Sequence, residues 1–294
     1  MAEWGSEDYL DPRGIDWSVV RSATFEVRQS LRYEYPGPIE DLHQVLVLIP
    51  PDALRGQRLL THELKVTPVA RPRYSTDSFG NRLCQILLPR VDGMLEFEVM
   101  LRVERSPVPG VPLSSPGEAH IYTLPSPLTE ASSALREIAA SLAAPASSPL
   151  QLAERINAWV LQRLTYRAGT TDVRSTAADA FDRGEGVCQD YAHLMVALCR
   201  LAGLPARYVS GHLLGEGAMH AWTQVLLPPD DGPESSALWQ SFDPTHGRRA
   251  ELPYICIAVG RDYGDVSPTR GSFTAPYAGC LAGSEKHAGV LAVA

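Results

Sequence analysis

The chain has 294 residues, enough for two ordinary domains. Its 45% hydrophobic and 20% charged residues fit a globular protein, and a net charge of −8 argues against a nucleic-acid partner, which needs a basic face. No window approaches the roughly 18 apolar residues of a membrane-spanning helix. The polar, acidic Met1–Gly14 segment has no basic start and no apolar run, so it does not read as a secretion signal, and a cytoplasmic location away from membranes is expected. The five cysteines, Cys84, Cys188, Cys199, Cys256 and Cys280, are odd in number and contain no CxxC. They predict free thiols, with no disulfide framework, no metal site and no cofactor.

In chain order, a tail at 1–17 precedes a β-rich region at 18–105. From Ala23 to Tyr35, Ala23, Phe25, Val27, Leu31, Tyr33 and Tyr35 alternate with Thr24, Glu26, Arg28, Ser30, Arg32 and Glu34, which predicts a strand with one wet face. Gln44–Ile49 is a continuous apolar run closed by Pro50 and Pro51. The turn Asp77–Asn81 (DSFGN), with Gly80 and Asn81 both able to adopt positive φ, leads into Leu83–Leu88, and Leu95–Val103 alternates again. Several short strands of this kind predict a β-sandwich. A Pro/Gly-rich linker is expected at 106–120.

The period then becomes helical, and a second domain is expected at 121–275, with a tail at 276–294 that could end in a strand. Leu135, Ile138, Ala139 and Leu142 share a face, and Ser148-Pro149 reads as an N-cap followed by a first-turn proline. A short helix is expected from Thr176 to Asp182, ended by Gly184. The next helix starts at Cys188 and stops at Gly203 and Pro205. His220–Leu227 and Leu238–Phe242 read as strands joined by a polar, turn-rich loop.

Cys188 stands out because it follows Gly184-Glu185-Gly186-Val187 and opens a helix. The first N–H groups of a helix lack partners and the dipole there favours an anion, which suits the thiolate, the nucleophilic form of cysteine. If the two strands after it pair as a hairpin, His220 at the start of one lies opposite Asp243 at the end of the other. Cysteine, histidine and acid in that order supply nucleophile, base and orienting group.

These segments carry a family resemblance. GVCQDYAHL, ALCRLAGLPARYVSGHL, HAW and FDPT, in that order, resemble the transglutaminase-like superfamily in its bacterial branch. The resemblance spans Ile121–Phe273 and extends to the first half through Tyr33, Tyr35 and DSFGN, which look like the β-rich domain preceding the core in that branch. It implies an α+β, papain-like core, with the cysteine-bearing helix packed on an antiparallel sheet, behind an all-β sandwich. It places the catalytic cysteine, histidine and aspartate on Cys188, His220 and Asp243. The calcium-dependent cross-linkers of the superfamily carry tryptophan after the cysteine and acidic calcium sites; here Gln189 follows Cys188 and no calcium loop is seen. The implied chemistry is therefore acyl transfer at an amide or thioester rather than protein cross-linking.

The expected function is a cysteine peptidase or amidase acting on a peptide, protein or small-molecule amide. An amide-forming acyltransferase with an amine acceptor and a non-catalytic binding module are the alternatives. The backbone N–H of Cys188 is the natural first oxyanion donor, and Tyr166 is taken as the second. Gln189, Asp190 and Trp222 are expected on the cleft wall, with His193 flanking the nucleophile; for Asp190 the alternative is a local cap or pairing in the first turn of the helix. Cys199 is expected in the core, His212 and His246 on the surface or a pocket wall, and Asp262 and Asp265 in an ordered loop. Oligomeric state is left open.

Overall fold

A computed structural model describes residues 9–54, 56–107, 111–112, 119–228 and 237–294. Most of the expected linker, the start of the N-terminal tail and most of the polar loop after Leu227 lie outside the described residues. The strands are β1 (Ala23–Leu46), β2 (Ala53–Leu54), β3 (Gln57–Thr67), β4 (Arg73–Thr76), β5 (Arg82–Arg105), β6 (Val111–Pro112), β7 (Thr165–Tyr166), β8 (Glu185–Gly186), β9 (Ala206–Leu213), β10 (His220–Leu227), β11 (Leu238–Asp243), β12 (Arg248–Arg249), β13 (Tyr254–Gly260), β14 (Thr269–Thr274) and β15 (Cys280–Val293). The helices are α1 (Ser133–Ala143), α2 (Pro149–Arg163), α3 (Ala177–Arg183), α4 (Cys188–Leu201) and α5 (Tyr263–Val266). None of them is long and apolar enough to cross a membrane.

The N-terminal region is β, but its strands are long. Ala23–Tyr35 and Gln44–Leu46 are two ends of the 24-residue β1, and the alternating runs at Leu83–Leu88 and Leu95–Val103 are two ends of the 24-residue β5. Pro36, Gly37 and Pro38 read as a break in the sequence. In the fold, a register shift between Glu34 and Pro38 absorbs them and pairing with β5 resumes at Pro38. The expected wet face of β1 is also partly closed. Glu26 and Arg28 are buried, and Glu26 accepts hydrogen bonds from Tyr9 and from the Arg28 and Arg102 guanidinium groups.

The sheet runs β14-β1-β5-β3-β2, with β15 also on β1 and β4 on β5. Both β14 and β15 come from the last thirty residues of the chain. They add to the strand that begins the sheet, so the two ends of the sequence are laced together.

The second sheet is antiparallel, in the order β12-β11-β10-β9-β13, with β6 on β11. The helices begin where capping residues dictate. Ser148 accepts from the Gln151 N–H with Pro149 in the first turn of α2, and Thr176 and Asp179 form a reciprocal capping box on α3. Helix α4 packs between α1, α2 and α3 on one side and β9 and β10 on the other. Every residue from Gln189 to Arg200 is buried. A helix enclosed on all sides must satisfy its polar residues internally. Arg200 accordingly donates to the carbonyls of Tyr122, Ala206 and Arg261 and to Thr129, and His193 accepts from the Tyr263 N–H. Cys199 lies fully in this core, where burial pushes its thiol up.

DSFGN joins the two sheets. Asp77 accepts from the N–H groups of Phe79 and Asn81, and Gly80 takes the positive φ of 84°. Asn81 does not adopt positive φ. Its carboxamide instead exchanges two hydrogen bonds with the backbone of Val259 on β13, at 2.8 and 2.9 Å. Gln57 on β3 makes the same paired contact with Cys256. Two side-chain amides from the first sheet thus pin β13, the strand that supplies Tyr254 to the site described next.

Candidate active site

Cys188 is the first residue of α4, and Val187 is its N-cap. Valine has no oxygen to cap with, so the task passes to Asp190. Its Oδ2 accepts from the Val187 N–H at 2.7 Å and from Thr171 Oγ1 at 2.6 Å. Burial pushes this carboxyl up, against the hydrogen bonds that favour its charge. Gly186 is required beside it: a Cβ there would lie 2.6 Å from the Asp190 carboxylate. The Asp190 and Tyr191 N–H groups bond to the Val187 carbonyl at 2.8 and 3.2 Å as the helix begins.

Strand β10 brings His220 to this end of the helix. Thr223 on β10 donates to the Ala192 carbonyl of α4 at 3.3 Å, tying strand to helix. Strands β10 and β11 do pair as an antiparallel hairpin, with Thr223 opposite Phe242. Asp243 is one position further, on the face that carries Trp222 and His220. The result is a buried contact of 2.9 Å between His220 Nε2 and Asp243 Oδ2. With Nε2 held there, Nδ1 is the nitrogen that remains for the Cys188 thiol. Burial alone would lower the His220 pKa, but hydrogen bonds with Asp243, Cys188 and Glu216 outweigh it and raise the ring to about 11. The same ion pair holds the Asp243 carboxyl well below the usual carboxylate range, although burial opposes it. Trp222 lies nearly parallel to the His220 ring, with centroids 6.2 Å apart, and fits against Gly211, where a Cβ would strike its indole at 2.6 Å. It therefore shields the imidazole–carboxylate contact from water.

Three participants have no clear sequence signal. Tyr254 donates to Asp243 Oδ2 at 2.6 Å, and His246 Nδ1 reaches the same oxygen at 2.7 Å. The N–H groups of Thr245 and His246 cap Oδ1. Glu216, in the loop before β10, lies 3.2 Å from His220 Nδ1. Only the spacing of His246, three residues after Asp243, could have pointed to one of them. His246 is half-exposed at the edge of the cluster, whereas His212 is fully buried on β9, not at the surface, and its pKa is driven down by burial.

The remaining expected residues fall around this group. Tyr166 is on β7, which pairs in parallel with β8 so that Tyr166 lies opposite Gly186. It is 57% exposed, and its pKa is raised first by burial and then by the neighbouring charges of Cys188, Glu216 and Asp190. Gln189 Nε2 donates to the Asp172 carbonyl at 3.3 Å. Asp262 caps α5, and Asp265 accepts from the Arg261 backbone and guanidinium, so both order the loop after β13.

The geometry makes Asp190 a positioning residue. Asp190→Ala is expected to cost about 1 kcal/mol through the lost cap and to lower kcat only partly, with Asp190→Asn milder in both. Denaturant midpoints and turnover of the two variants check this. An Asp190→Ala protein of full stability and no turnover would assign the carboxylate a direct role instead.

The sequence profile of the transglutaminase-like superfamily core matches residues 136–244, and that of the bacterial transglutaminase-like N-terminal region matches residues 25–104. An uncharacterised protein of Mycobacterium tuberculosis is 30% identical over 275 residues, covering 84% of this chain and 86% of its own. One of Mycobacterium leprae is 39% identical over 126 residues, 40% of this chain and 42% of its own. Among solved structures, a protein of Cytophaga hutchinsonii described as a candidate cysteine protease superposes with a TM-score of 0.76 at 20% identity, covering 92% of this chain and 91% of that one. At that identity the likeness shows a shared fold: an α+β core behind an N-terminal β region.

Proposed function

Because the chain belongs to the transglutaminase-like superfamily, a family of cysteine-dependent enzymes, we propose that it cleaves an amide through a thioester on Cys188, as a peptidase or amidase. The observation that carries this reading is the line Cys188–His220–Asp243, which starts at a helix N-terminus and is closed by a carboxylate holding the imidazole at 2.9 Å.

The steps follow from the positions. The charged His220 ring favours the thiolate of Cys188, whose sulfur attacks the carbonyl carbon. The carbonyl electrons move onto oxygen, where the Cys188 N–H at the helix start stabilises them, with the Tyr166 hydroxyl assigned as the second donor. As the C–N bond breaks, His220 gives its proton to the leaving amine. The neutral ring then takes a proton from water, and the resulting attack on the thioester frees the acid and restores the thiol–imidazole pair. Asp243 keeps its charge throughout and fixes the ring orientation. An amine in place of water would make the same site an acyltransferase. The expected substrates are peptides, proteins or small-molecule amides.

The competing thiols make a clean test. Burial pushes Cys84 up to about 12 and Cys256 up to about 11, and Cys199 is buried as well, which leaves Cys280 as the exposed reference. Iodoacetamide at about pH 6 is expected to alkylate Cys188 well before Cys280, and His220→Ala should erase that preference. Equal labelling of both in the wild-type chain would count against an activated nucleophile.

A further inference from the structure

Asp243 holds two histidines rather than one, and the second pairing leaves a set of donor atoms in place. Its Oδ2 receives His220 Nε2 at 2.9 Å and His246 Nδ1 at 2.7 Å, which fixes both rings and turns the opposite nitrogens, His220 Nδ1 and His246 Nε2, away from it. Both of these outer nitrogens lie near Glu216, with His220 Nδ1 3.2 Å from Oε2 and His246 Nε2 3.5 Å from Oε1. The three donor positions lie within 4.8 Å of one another. Charge-assisted N–H···O bonds run about 2.7–2.9 Å, which the Asp243 contacts match and the Glu216 contacts exceed. The donor–donor edge of a tetrahedron with zinc bonds of about 2.0–2.1 Å is about 3.4 Å, close to the 3.2 Å between His220 Nδ1 and Glu216 Oε2, while His246 lies nearest the other oxygen of the same carboxylate.

The surroundings also suit a cation. Two histidines and one glutamate leave a fourth position open, as in catalytic-type zinc sites. A carboxylate behind the ligating histidines is the usual support of such a site, and here that carboxylate is itself fixed by Tyr254. The Glu216 loop is held on either side, because Lys286 Nζ donates to the carbonyls of Leu213 and Ala218. Glu216 and His246 each keep about a third of their side-chain surface exposed, which gives an ion a way in.

We propose that Glu216, His220 and His246 bind a zinc-class divalent cation, and that the bound ion switches the enzyme off by occupying the His220 nitrogen that serves Cys188. The ion displaces the proton shared between His220 and Glu216, which leaves to solvent. The binding stands on geometry alone; the inhibition rests on the function proposed above. The sequence expects no metal because the three ligands come from a loop, a strand and a turn, with no recognisable motif spacing.

The test is a titration of the full reduced chain with Co2+, read by its visible absorption, beside zinc inhibition of turnover. One equivalent is expected to bind the wild type and also Cys188→Ala, which lacks the thiolate. Affinity should fall at least tenfold in Glu216→Gln and in His246→Ala, with near-ultraviolet circular dichroism as the fold control. Glu216→Gln is nearly isosteric and partly exposed, so it keeps the test valid if His246→Ala misfolds. Zinc should block turnover at a stoichiometric dose, and chelation should restore it. Binding that vanishes in Cys188→Ala and persists in Glu216→Gln would overturn the site, as would the absence of stoichiometric binding. Turnover indifferent to zinc would overturn the switch. Binding with the expected variant pattern in a chain that turns over no amide would uphold the site and refute the catalytic reading.

Discussion

Cys188→Ala is expected to lower turnover of an acyl-anilide or thioester probe by roughly four orders of magnitude or more, while the circular dichroism spectrum stays unchanged. The substitution removes the sulfur and places alanine, a good helix former, at the start of α4. The other four cysteines are not expected to substitute for it: Cys84, Cys199 and Cys256 are buried, and Cys280 is an exposed residue of β15 paired opposite Glu34 of β1. His220→Ala should cost nearly as much, because the thiolate loses its counter-ion and the leaving group its acid. The double variant should be little worse than either single one, since the two groups act as a unit. Full turnover in Cys188→Ala would refute the proposed chemistry. A His220→Ala enzyme at the wild-type rate would leave the cysteine but remove the dyad.

The second large effect is on stability. Asp243 is fully buried and receives His220, His246, Tyr254 and two backbone N–H groups. Asp243→Ala strands all of them and leaves the buried His220 ring with only the partly exposed Glu216 as a carboxylate partner, which should cost about 3–5 kcal/mol. Asp243→Asn keeps the shape and should lose less stability, with a turnover loss smaller than that of His220→Ala.

The pH dependence of that difference follows from the two shifts. Asp243 is depressed in the fold, so its contribution is present above its unfolded value of about 4 and is lost as pH falls through the folded one. His220 is raised, so its contribution is complete below its unfolded value of about 6.5 and is lost as pH rises towards about 11. The stability gap between wild type and Asp243→Asn should therefore be widest between about pH 4 and 6.5 and narrow on both sides. Melting temperatures of the pair across pH 3–10 give the answer, and a gap of constant width would contradict the buried ion pair.

The helices of the papain-like core were legible because their signals are local. Ser148-Pro149 and Gly184 are capping chemistry, which the neighbouring residues decide. The hairpin placing Asp243 beside His220 was legible from alternation alone. The long β1 and β5 were not, because Pro36, Gly37 and Pro38 are breakers by propensity and only pairing with β5 carries the strand through them. The local capping role of Asp190 was legible too, because an acid in the first turn of a helix caps or pairs there, and the structure shows it accepting from the Val187 N–H. Tyr254 and Glu216 were invisible for a different reason: the fold gathers them from separate segments, and each alone resembles an ordinary loop or strand residue, while His246 read only as a surface or pocket-wall histidine.

The most direct test of the account is to catch the thioester. An activated acyl donor is mixed with the protein, the reaction is quenched in acid at short times, and the intact chain and its peptides are weighed. The account predicts a single acyl addition on Cys188 in the wild-type chain, greater accumulation with Asp243→Asn if release slows more than attack, and none in Cys188→Ala. Turnover without any adduct on Cys188, or an adduct on another residue that disappears as product forms, would contradict it.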